Sequence, residues 1–321
     1  MRIPHSATLA TIAVLALSPV PCFAQSSTPI RLIVGVAPGA TTDTVARSVA
    51  ERLRETLKET VIVENRLGPA SRMAIAELKR SPPDGRTLLV GSNAAFSIVP
   101  HIYGERLDYK PEDFRPVSRL VIFQVGIATG PKTKTKTIAE FTNWVRANPK
   151  EASFASPGAG TTSHFAGLML SSAIGVPLTH VPYKGGAPAI TDLMGGHIPL
   201  LSTALSDLPS YHRDGKITII GAAGPKRSPA APEVPTLREQ GIDIAFESSF
   251  DMHALANTPD DVIARLSAAV REAMAHPDTR KRLEGMGLEV SGSSPEELAA
   301  KQVTEIRLWR DPVKQSGFTG E

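Results

Sequence analysis

Hydrophobic and polar positions follow two alternating patterns along the chain. Short apolar runs, of which IRLIVGV at 30–36 is the first, predict strands that are buried on both faces. The segment 42–58 instead places apolar residues every three or four positions, on a stripe from Val45 to Leu57 with charged residues opposite. That spacing predicts an amphipathic helix. Because the two patterns alternate, we expect parallel sheets that are covered by helices.

The same alternation continues to the C-terminal end of the sequence. The pattern predicts strands at 30–36, 61–65, 87–93, 121–129, 152–156, 179–183, 198–205, 217–223 and 245–256. It predicts helices at 42–58, 71–81, 137–149, 163–174, 188–194, 260–275, 278–286 and 295–309. Residues 94–117 predict short irregular elements, and the proline-rich stretch 227–241 predicts a surface segment with one helical turn.

Two series of strands and helices indicate two lobes. The strand-like stretches 121–129 and 245–256 lie where one series gives way to the other. We therefore predict a two-lobed α/β fold whose lobes are joined by a two-strand hinge. The predicted division assigns 25–125 and 250–321 to lobe 1, and 126–249 to lobe 2.

Residues 1–24 have the features of a secretory signal peptide. Arg2 precedes an apolar run, and small residues at Cys22 and Ala24 offer a cleavage site. A lipoprotein acylated at Cys22 is the alternative, although the preceding residues lack the usual pattern. Cys22 is the single cysteine of the sequence, so disulfides and thiolate metal sites are excluded after cleavage. We expect a soluble periplasmic protein.

Composition and motifs argue against several classes of function. The formal net charge is +3 and aromatic residues make up 5% of the chain, without a basic and aromatic cluster, so nucleic acid is not an expected partner. The sequence lacks G-x-S-x-G, H-E-x-x-H and phosphate-loop motifs. A triad of Ser156, His164 and an acid is conceivable, but no third member stands out. We predict no catalysis, no cofactor and no metal site.

Three strand-to-helix junctions carry loops of small residues. Their sequences are VGVAPGATTDTVARSVAERL (34–53), FASPGAGTTSHFAGLML (154–170) and HVPYKGGAPAITDL (180–193). A helix N-terminus leaves backbone N–H groups unpaired and carries partial positive charge, and glycine lets a ligand approach closely. An ordinary turn with Thr42 or Asp43 as N-cap is the alternative at the first junction. Loops of this kind from two facing lobes predict a donor-rich cleft for a small carboxylate.

An ordered set of sequence blocks resembles the tripartite tricarboxylate transporter substrate-binding proteins, also called the Bug family of periplasmic solute receptors. The blocks are PIRLIVGVAPGATTDTVAR, VIVENRLG, PPDGRTLLVGSN, YKPEDFRPV, SPGAGTTSH, HVPYKGGAPAITDLMGGHI and PEVPTLREQG. The resemblance covers nearly all of 28–310. It implies a type II-like, two-lobed periplasmic binding fold that closes like a Venus flytrap on a small carboxylate.

The resemblance also implies which residues line the ligand cleft. They are Pro38, Gly39, Ala40, Thr41, Thr42, Ser92, Asn93, Ser156, Gly158, Ala159, Gly160, Thr161, Thr162, His164, Tyr183 and Thr203. His164 either contacts the anion or packs against its own helix. Tyr183 either lines the cleft and donates its hydroxyl, or is a half-buried packing residue. His180 is expected to be structural.

The chain departs from the family pattern in several of these loops. The departures are Ala37 and Ala40 in the first loop, Leu67, Ala70 and Ser71 in the segment around 68–72, and Ser202 and Thr203 at a strand end. Ala70 and Ser71 replace glycines, and a Cβ there narrows the approach of a ligand to the backbone. These positions leave two hypotheses open, a ligand of a different class and a loss of binding.

Together these observations predict a periplasmic solute receptor. We expect it to be a monomer, to capture a small organic anion, and to deliver the anion to the membrane permease of a tripartite tricarboxylate-type transporter. The alternative belongs to signalling, with the receptor presenting its ligand to a membrane sensor kinase. The sequence does not distinguish the two, and turnover of the bound carboxylate is a third hypothesis with no supporting motif.

Overall fold

The structure is a computed structural model that describes residues 28–68 and 71–320. The predicted signal peptide at 1–24 lies outside the described residues, and so does Ala70, one of the departures from the family pattern. No helix of the described ranges combines the length and the apolar composition that a membrane span requires.

Within these ranges the chain forms strands and helices in alternation. The strands are β1 (Ile30–Val34), β2 (Val61–Asn65), β3 (Thr87–Ser92), β4 (Phe114–Phe123), β5 (Val125–Thr129), β6 (Ser153–Ser156), β7 (Thr179–Pro182), β8 (Leu200–Ala204), β9 (Thr218–Ala222), β10 (Ser248–Leu255) and β11 (Glu289–Val290). The helices are α1 (Thr41–Leu57), α2 (Arg72–Arg80), α3 (Ala94–Ser97), α4 (Val99–Tyr103), α5 (Ile138–Ala147), α6 (Thr162–Ala173), α7 (Gly186–Met194), α8 (Pro209–Arg213), α9 (Asp260–Ala275), α10 (Pro277–Gly285) and α11 (Pro295–Ser316).

The strands form two mixed sheets, and each sheet with its helices is one lobe. The sheet of lobe 1 has the order β11-β4-β10-β3-β1-β2, and that of lobe 2 has the order β7-β6-β8-β5-β9. β1 is parallel to β2 and β3, and β6 is parallel to β7 and β8. β10 and β5 are antiparallel to their neighbours. The predicted parallel pairing is therefore confirmed for part of each sheet, and the sheets are mixed because the strands beside the interlobe crossings run in the opposite direction.

Two chain crossings join the lobes, which confirms the predicted two-strand hinge. At the first crossing, Gln124 alone separates β4 from β5, so the single strand predicted at 121–129 is in fact two. At the second, the N–H of Phe246 donates to the carbonyl of Ala223 in lobe 2 at 2.7 Å. Two residues later, Ser248 pairs with Phe123 in the sheet of lobe 1.

Helix α1 buries the apolar stripe that its sequence pattern predicts. Val45, Val49 and Leu53 have no exposed surface and share one core with Leu266 and Val270 of α9. The charged residues on the opposite side remain at the surface. The sheet of lobe 1 is thus covered on this face by α1 and α9, two helices that are far apart in the sequence.

Helix α11 packs against both lobes and is longer than predicted. Trp309 is fully buried, and its ring centroid lies 4.7 Å from that of Phe246 and 6.1 Å from that of Phe165 in α6. On its other side, Glu305 accepts a hydrogen bond from Arg119 of β4 at 2.9 Å. The residue division between the lobes stays a prediction, and α11 bridges the two sheets.

The sequence pattern did not predict most of β4, nor β11 and α8. β4 begins at Phe114, inside the stretch that was expected to be irregular. The strand is mostly buried, but its charged residues hide the apolar pattern by which a buried strand is predicted. One of these, Arg119, is buried against Glu305. β11 and α8 contain two and five residues, which is too short for a periodic signal.

Candidate functional site

The first predicted ligand loop lies between β1 and α1. The helix begins at Thr41, and its N-cap is Ala40, whose side chain accepts no hydrogen bond. The alternative of Thr42 or Asp43 as N-cap is therefore wrong. The N–H groups of Thr41, Thr42 and Asp43 have no acceptor among the residues that the structure describes. This helix end offers unpaired donors and the positive end of the helix dipole to an anion.

Asp43 shapes this loop from inside the protein. Its carboxylate accepts the N–H of Gly39 at 2.9 Å and the Nε of Arg47 at 2.8 Å. The side-chain amide of Asn65 also donates to it, at 2.9 Å. Burial by itself would raise the pKa of Asp43, but the hydrogen bonds from Arg47, the Gly39 amide and Asn65 lower it below the ordinary value. Asp43 is thus a charged anchor of the loop.

The predicted residues of the first loop differ in exposure. Pro38 and Gly39 are exposed, Ala40 is half-buried and Thr42 is buried. Gly39 has a φ of +84°, a left-handed conformation that other residues rarely adopt, so the turn itself requires glycine here. Thr41 is half-buried and points its hydroxyl toward lobe 2, as described below.

The second predicted ligand loop connects β6 to α6. Thr161 is the N-cap of α6, and its hydroxyl oxygen accepts the N–H of His164 at 3.1 Å. The same hydroxyl donates to the carbonyl of Gly158 at 2.8 Å. Gly160 has a φ of +77°. The N–H groups of Gly158 and Gly160 are already hydrogen-bonded within the loop, so they are not free for a ligand.

Other donors of this second loop remain unpaired within the described ranges. They include the N–H groups of Ala159, which is exposed, and of Thr162 and Ser163, which are buried. The hydroxyl of Thr162 lies 3.1 Å from that of Ser248, at the start of β10. The loop is therefore connected to the hinge, and its free donors are the N–H of Ala159 and those of the first turn of α6.

His164 and His180 form a neutral pair beneath this loop. Their rings stack with centroids 3.8 Å apart. Nδ1 of His164 accepts the N–H of Gly160 at 3.2 Å, and Nε2 of His180 lies 2.8 Å from the hydroxyl of Ser156. Burial, and then the neighbouring His180, lower the pKa of His164 to about 3, and burial lowers that of His180 to about 4. This geometry matches the packing alternative for His164.

The third loop follows β7 and leads into α7. The hydroxyl of Tyr183 donates to the Asp192 carboxylate at 2.6 Å, so it already has an intramolecular acceptor. Burial, and then Asp192, raise the pKa of Tyr183 to about 12. The N-cap of α7 is Gly185, which provides no side-chain cap, and its N–H donates to the carbonyl of Pro157 at 2.9 Å. The second and third loops are therefore in direct contact.

Ser92 and Asn93 lie at the end of β3. Ser92 is half-buried, and its hydroxyl accepts the N–H of Ala94 at 3.3 Å. Asn93 is buried, and its side-chain amide donates to Glu305 at 2.9 Å. Its side-chain oxygen accepts from the hydroxyl of Ser248 at 3.1 Å. We interpret Asn93 as a residue that joins β3, β10 and α11. A contact between Asn93 and the ligand stays a prediction.

Asp207 connects the first loop to lobe 2 and was not among the predicted residues. Thr41 Oγ1 donates to Asp207 Oδ1 at 3.5 Å, across the gap between the lobes. A Cβ on Gly186 would lie 3.1 Å from Asp207 Oδ2 and 3.2 Å from the hydroxyl of the buried Thr203. We call these four residues the interlobe site. The sequence signal for Asp207 was an acidic residue just beyond the predicted strand 198–205, at the sheet edge where ligands bind.

Comparison with known proteins identifies the family. The family model described as "Tripartite tricarboxylate transporter family receptor" matches residues 45–317. The chain belongs to this receptor family. A UPF0065 protein of Pseudomonas sp. strain P51 is 30% identical over 287 residues, which are 88% of this chain and 85% of that protein. The family resemblance of the sequence blocks is thereby confirmed.

Two solved structures of similar proteins contain small dicarboxylates. MatC from Rhodopseudomonas palustris, with bound malate, is 29% identical, has a TM-score of 0.81, and aligns over 89% of this chain and 98% of its own. Rpa4515 of R. palustris, with adipate, is 27% identical, has a TM-score of 0.83, and aligns over 90% of this chain and 97% of its own. These matches confirm the predicted two-lobed periplasmic binding fold of the receptor.

The receptor's Ser156 does not form the triad that was conceivable from sequence. Its hydroxyl contacts His180 and not His164, and Ser156 has no exposed surface from which to attack a substrate. The other nitrogen of His180 has no acidic partner among the described residues. Within residues 28–68 and 71–320, no group of three His, Cys, Asp or Glu residues is arranged to hold a metal ion.

Proposed function

We propose that this receptor binds a small organic carboxylate between its lobes, with the N-terminus of α1 as the main anion-binding element. The carboxylate oxygens accept hydrogen bonds from the free N–H groups of Thr41 and Thr42. The first turn of α6 supplies further donors from lobe 2. The observation that carries the proposal is the helix start at Ala40, which is uncapped and lies beside the contact between the two lobes.

The relatives support the same chemical class of ligand. MatC was solved with malate and Rpa4515 with adipate, and both share the fold of this receptor over most of their length. Both ligands are small carboxylates. A carboxylate suits the unpaired donors at the start of α1, because anions bind favourably at the positive end of a helix dipole.

Ligand capture in this proposal closes the lobes by rotation about the two crossings, at Gln124 and next to Ser248. Closure requires that the ligand binds the closed form more tightly than the open form. The receptor then docks on the permease subunits of a tripartite tricarboxylate-type transporter. It reaches the periplasm through cleavage of the predicted signal peptide at 1–24 and acts there as a monomer without a cofactor.

The decisive variant is Ala40→Asp, which supplies α1 with its own carboxylate N-cap. Ala40 has the extended backbone, φ −66° and ψ 159°, that N-cap residues adopt. An aspartate N-cap stabilises a helix by about 1 kcal/mol relative to alanine. The variant is therefore expected to keep or gain thermal stability, while its side chain occupies the donors that the ligand carboxylate needs. Calorimetric titration with the small carboxylates that the unaltered receptor binds, chosen from a panel that includes malate and adipate, is expected to show a loss of affinity of at least about tenfold.

The matched control is Ala299→Asp, which makes the same change on the exposed side of α11. It is expected to bind like the unaltered receptor. If Ala40→Asp folds and binds the carboxylates with unchanged affinity, the anion does not lie at the start of α1 and the proposed site is wrong.

A further inference from the structure

We infer that Asp207 determines which carboxylates the receptor accepts, by favouring ligands whose second polar group is an ammonium or another hydrogen-bond donor over ligands with a second carboxylate. This inference rests on the proposed function, because it assumes that the first carboxylate of the ligand binds at the start of α1. It concerns the chemistry of the opposite end of the ligand.

The position of Asp207 places a carboxylate beside the proposed anion site. Asp207 ends the 3-10 turn Leu205–Asp207, which follows β8 in lobe 2. Its Oδ1 accepts the hydroxyl of Thr41, the first residue of α1, at 3.5 Å. Gly287 of lobe 1 packs against Ser206 in the same turn, where a Cβ on the glycine would lie 3.3 Å from the Ser206 Cα. The turn is therefore in contact with lobe 1 at two residues, Ser206 and Asp207.

The charge of Asp207 has no partner in the described protein. No Lys, Arg or His of residues 28–68 and 71–320 forms an ion pair with it, and the groups that act on it are hydroxyls, that of Thr41 first. Burial raises the pKa of Asp207 to about 6, and the hydroxyls offset part of that rise. At neutral pH the carboxylate is mostly ionised, yet it is partly removed from water. Such a group gains from a cation or donor that a ligand brings.

The surface around Asp207 leaves room for that group. Gly186, at the start of α7, has an ordinary φ, so its backbone conformation does not demand glycine. A Cβ at this position would lie 3.1 Å from Asp207 Oδ2, so the glycine keeps the carboxylate uncovered. The neighbouring hydroxyl of Thr203 is buried, and it is one of the three hydroxyls, with those of Thr41 and Ser206, whose hydrogen bonds lower the pKa of the Asp207 carboxyl. A ligand ammonium seated here would have two acceptors, the Asp207 carboxylate and the lone pairs of the Thr203 hydroxyl oxygen.

The two subsites together define the ligand. The donors of α1 favour one carboxylate, and Asp207 disfavours a second one by like-charge repulsion in a partly buried site. The hydroxyl of Thr41, the first residue of α1, lies 3.5 Å from Asp207 Oδ1, so the two charged groups of the ligand must be close together. The expected class is a small zwitterion, an amino acid with a short separation between carboxylate and ammonium. This class differs from the malate and adipate of the relatives.

Matched pairs of ligands test this inference directly. Each pair keeps the carbon chain and one carboxylate, and replaces the other carboxylate by an ammonium group. The pairs are succinate and β-alanine, glutarate and 4-aminobutyrate, and adipate and 5-aminopentanoate. Calorimetric titration of the purified receptor at neutral pH is expected to show at least about tenfold tighter binding of the amino member in the shortest pair that binds. Asp207→Asn is expected to abolish or reverse that preference.

The control variant is Asp214→Asn, which removes the same charge from an exposed position of lobe 2. It is expected to keep the preference of the unaltered receptor. If the receptor binds the dicarboxylates more tightly and Asp207→Asn leaves that ratio unchanged, the inference is wrong and the proposed carboxylate function stands. If no member of any pair and neither malate nor adipate binds, the proposed function fails and the inference with it. A general loss of affinity without a change of ratio in Asp207→Asn assigns the residue a structural role and also overturns the inference.

Discussion

The substitution Asn93→Asp tests the buried connection between β3, the hinge and α11. Asn93 is 2% exposed, and its amide donates to Glu305, which is 4% exposed, at 2.9 Å. Glu305 also accepts from Arg119 at 2.9 Å. The substitution keeps the size of the side chain, but it replaces the amide donor with a carboxyl group. Two carboxylates would then face each other at hydrogen-bond distance in a buried site.

The structure sets the size of the effect. The introduced carboxyl can replace the amide as a donor to Glu305 only in its protonated form. Its ordinary pKa is about 3.9, so keeping it protonated at about pH 7.5 costs about 5 kcal/mol. At about pH 5 the same cost is about 1.5 kcal/mol. In this variant the native state binds one proton more than the unfolded state, so stability falls as pH rises. The difference in stability from the unaltered receptor is expected to grow by about 3 kcal/mol between these two pH values.

Urea unfolding at the two pH values measures this difference. The control is Asn143→Asp, which introduces a carboxyl at an exposed position of α5 and is expected to change stability by less than about 0.5 kcal/mol at either pH. A cost for Asn93→Asp that is below about 1 kcal/mol at pH 7.5, or equal at both pH values, would refute the contact between Asn93 and Glu305.

Three further predictions follow from the loops. Gly160→Ala forces an L residue into φ +77° and is expected to lower the free energy of unfolding in urea by about 1–2 kcal/mol. In the control Gly158→Ala, the new Cβ lies 3.8 Å from its nearest neighbours, and the expected loss is less than about 0.5 kcal/mol. Equal losses in the two variants would contradict the assigned turn. His164 has a pKa of about 3 in the native state, so its contribution to stability is present above its unfolded pKa and is lost as pH falls. Relative to His164→Gln, the unaltered receptor is therefore expected to lose about 2 kcal/mol between about pH 6.5 and pH 5, and parallel curves would contradict the burial of His164. Asp43→Ala removes the acceptor of the Gly39 N–H and is expected to speed amide hydrogen exchange in the first loop; unchanged exchange there would contradict the anchoring role of Asp43.

Local patterns predicted most of the fold because they reflect burial directly. The stripe from Val45 to Leu57 located α1, and the helix predicted at 260–275 coincides with α9. The failures have physical reasons. β4 contains Arg119, whose charge is neutralised by Glu305, a residue far away in the sequence. Because that partner cannot be seen locally, the sequence of β4 did not resemble that of a buried strand. The antiparallel strands depend on how the chain crosses between lobes, and no local pattern records that path.

The candidate site was predicted in part. The three loops at helix starts, two of which carry free backbone donors, follow from glycine and hydroxyl residues at strand ends, which can be read from the sequence. The partners of the side chains do not, because they depend on the tertiary fold. The hydroxyl of Tyr183 donates to Asp192, and the side-chain amide of Asn93 donates to Glu305, while the role of both residues toward a ligand stays a prediction. Asp207 contacts Thr41 from the other lobe, and nothing near either residue in the sequence points to the other.

The central claim is that the receptor binds a small carboxylate between its lobes, and a thermal-shift titration tests it most directly. The purified receptor is heated with increasing concentrations of malate, adipate and the three matched ligand pairs, after mass spectrometry has shown that no ligand was retained in purification. A ligand at 100 times its dissociation constant stabilises the native state by about 2.7 kcal/mol. We predict a concentration-dependent rise in melting temperature for at least one carboxylate, absent in Ala40→Asp. A cooperative melting transition that none of these compounds shifts would contradict the claim.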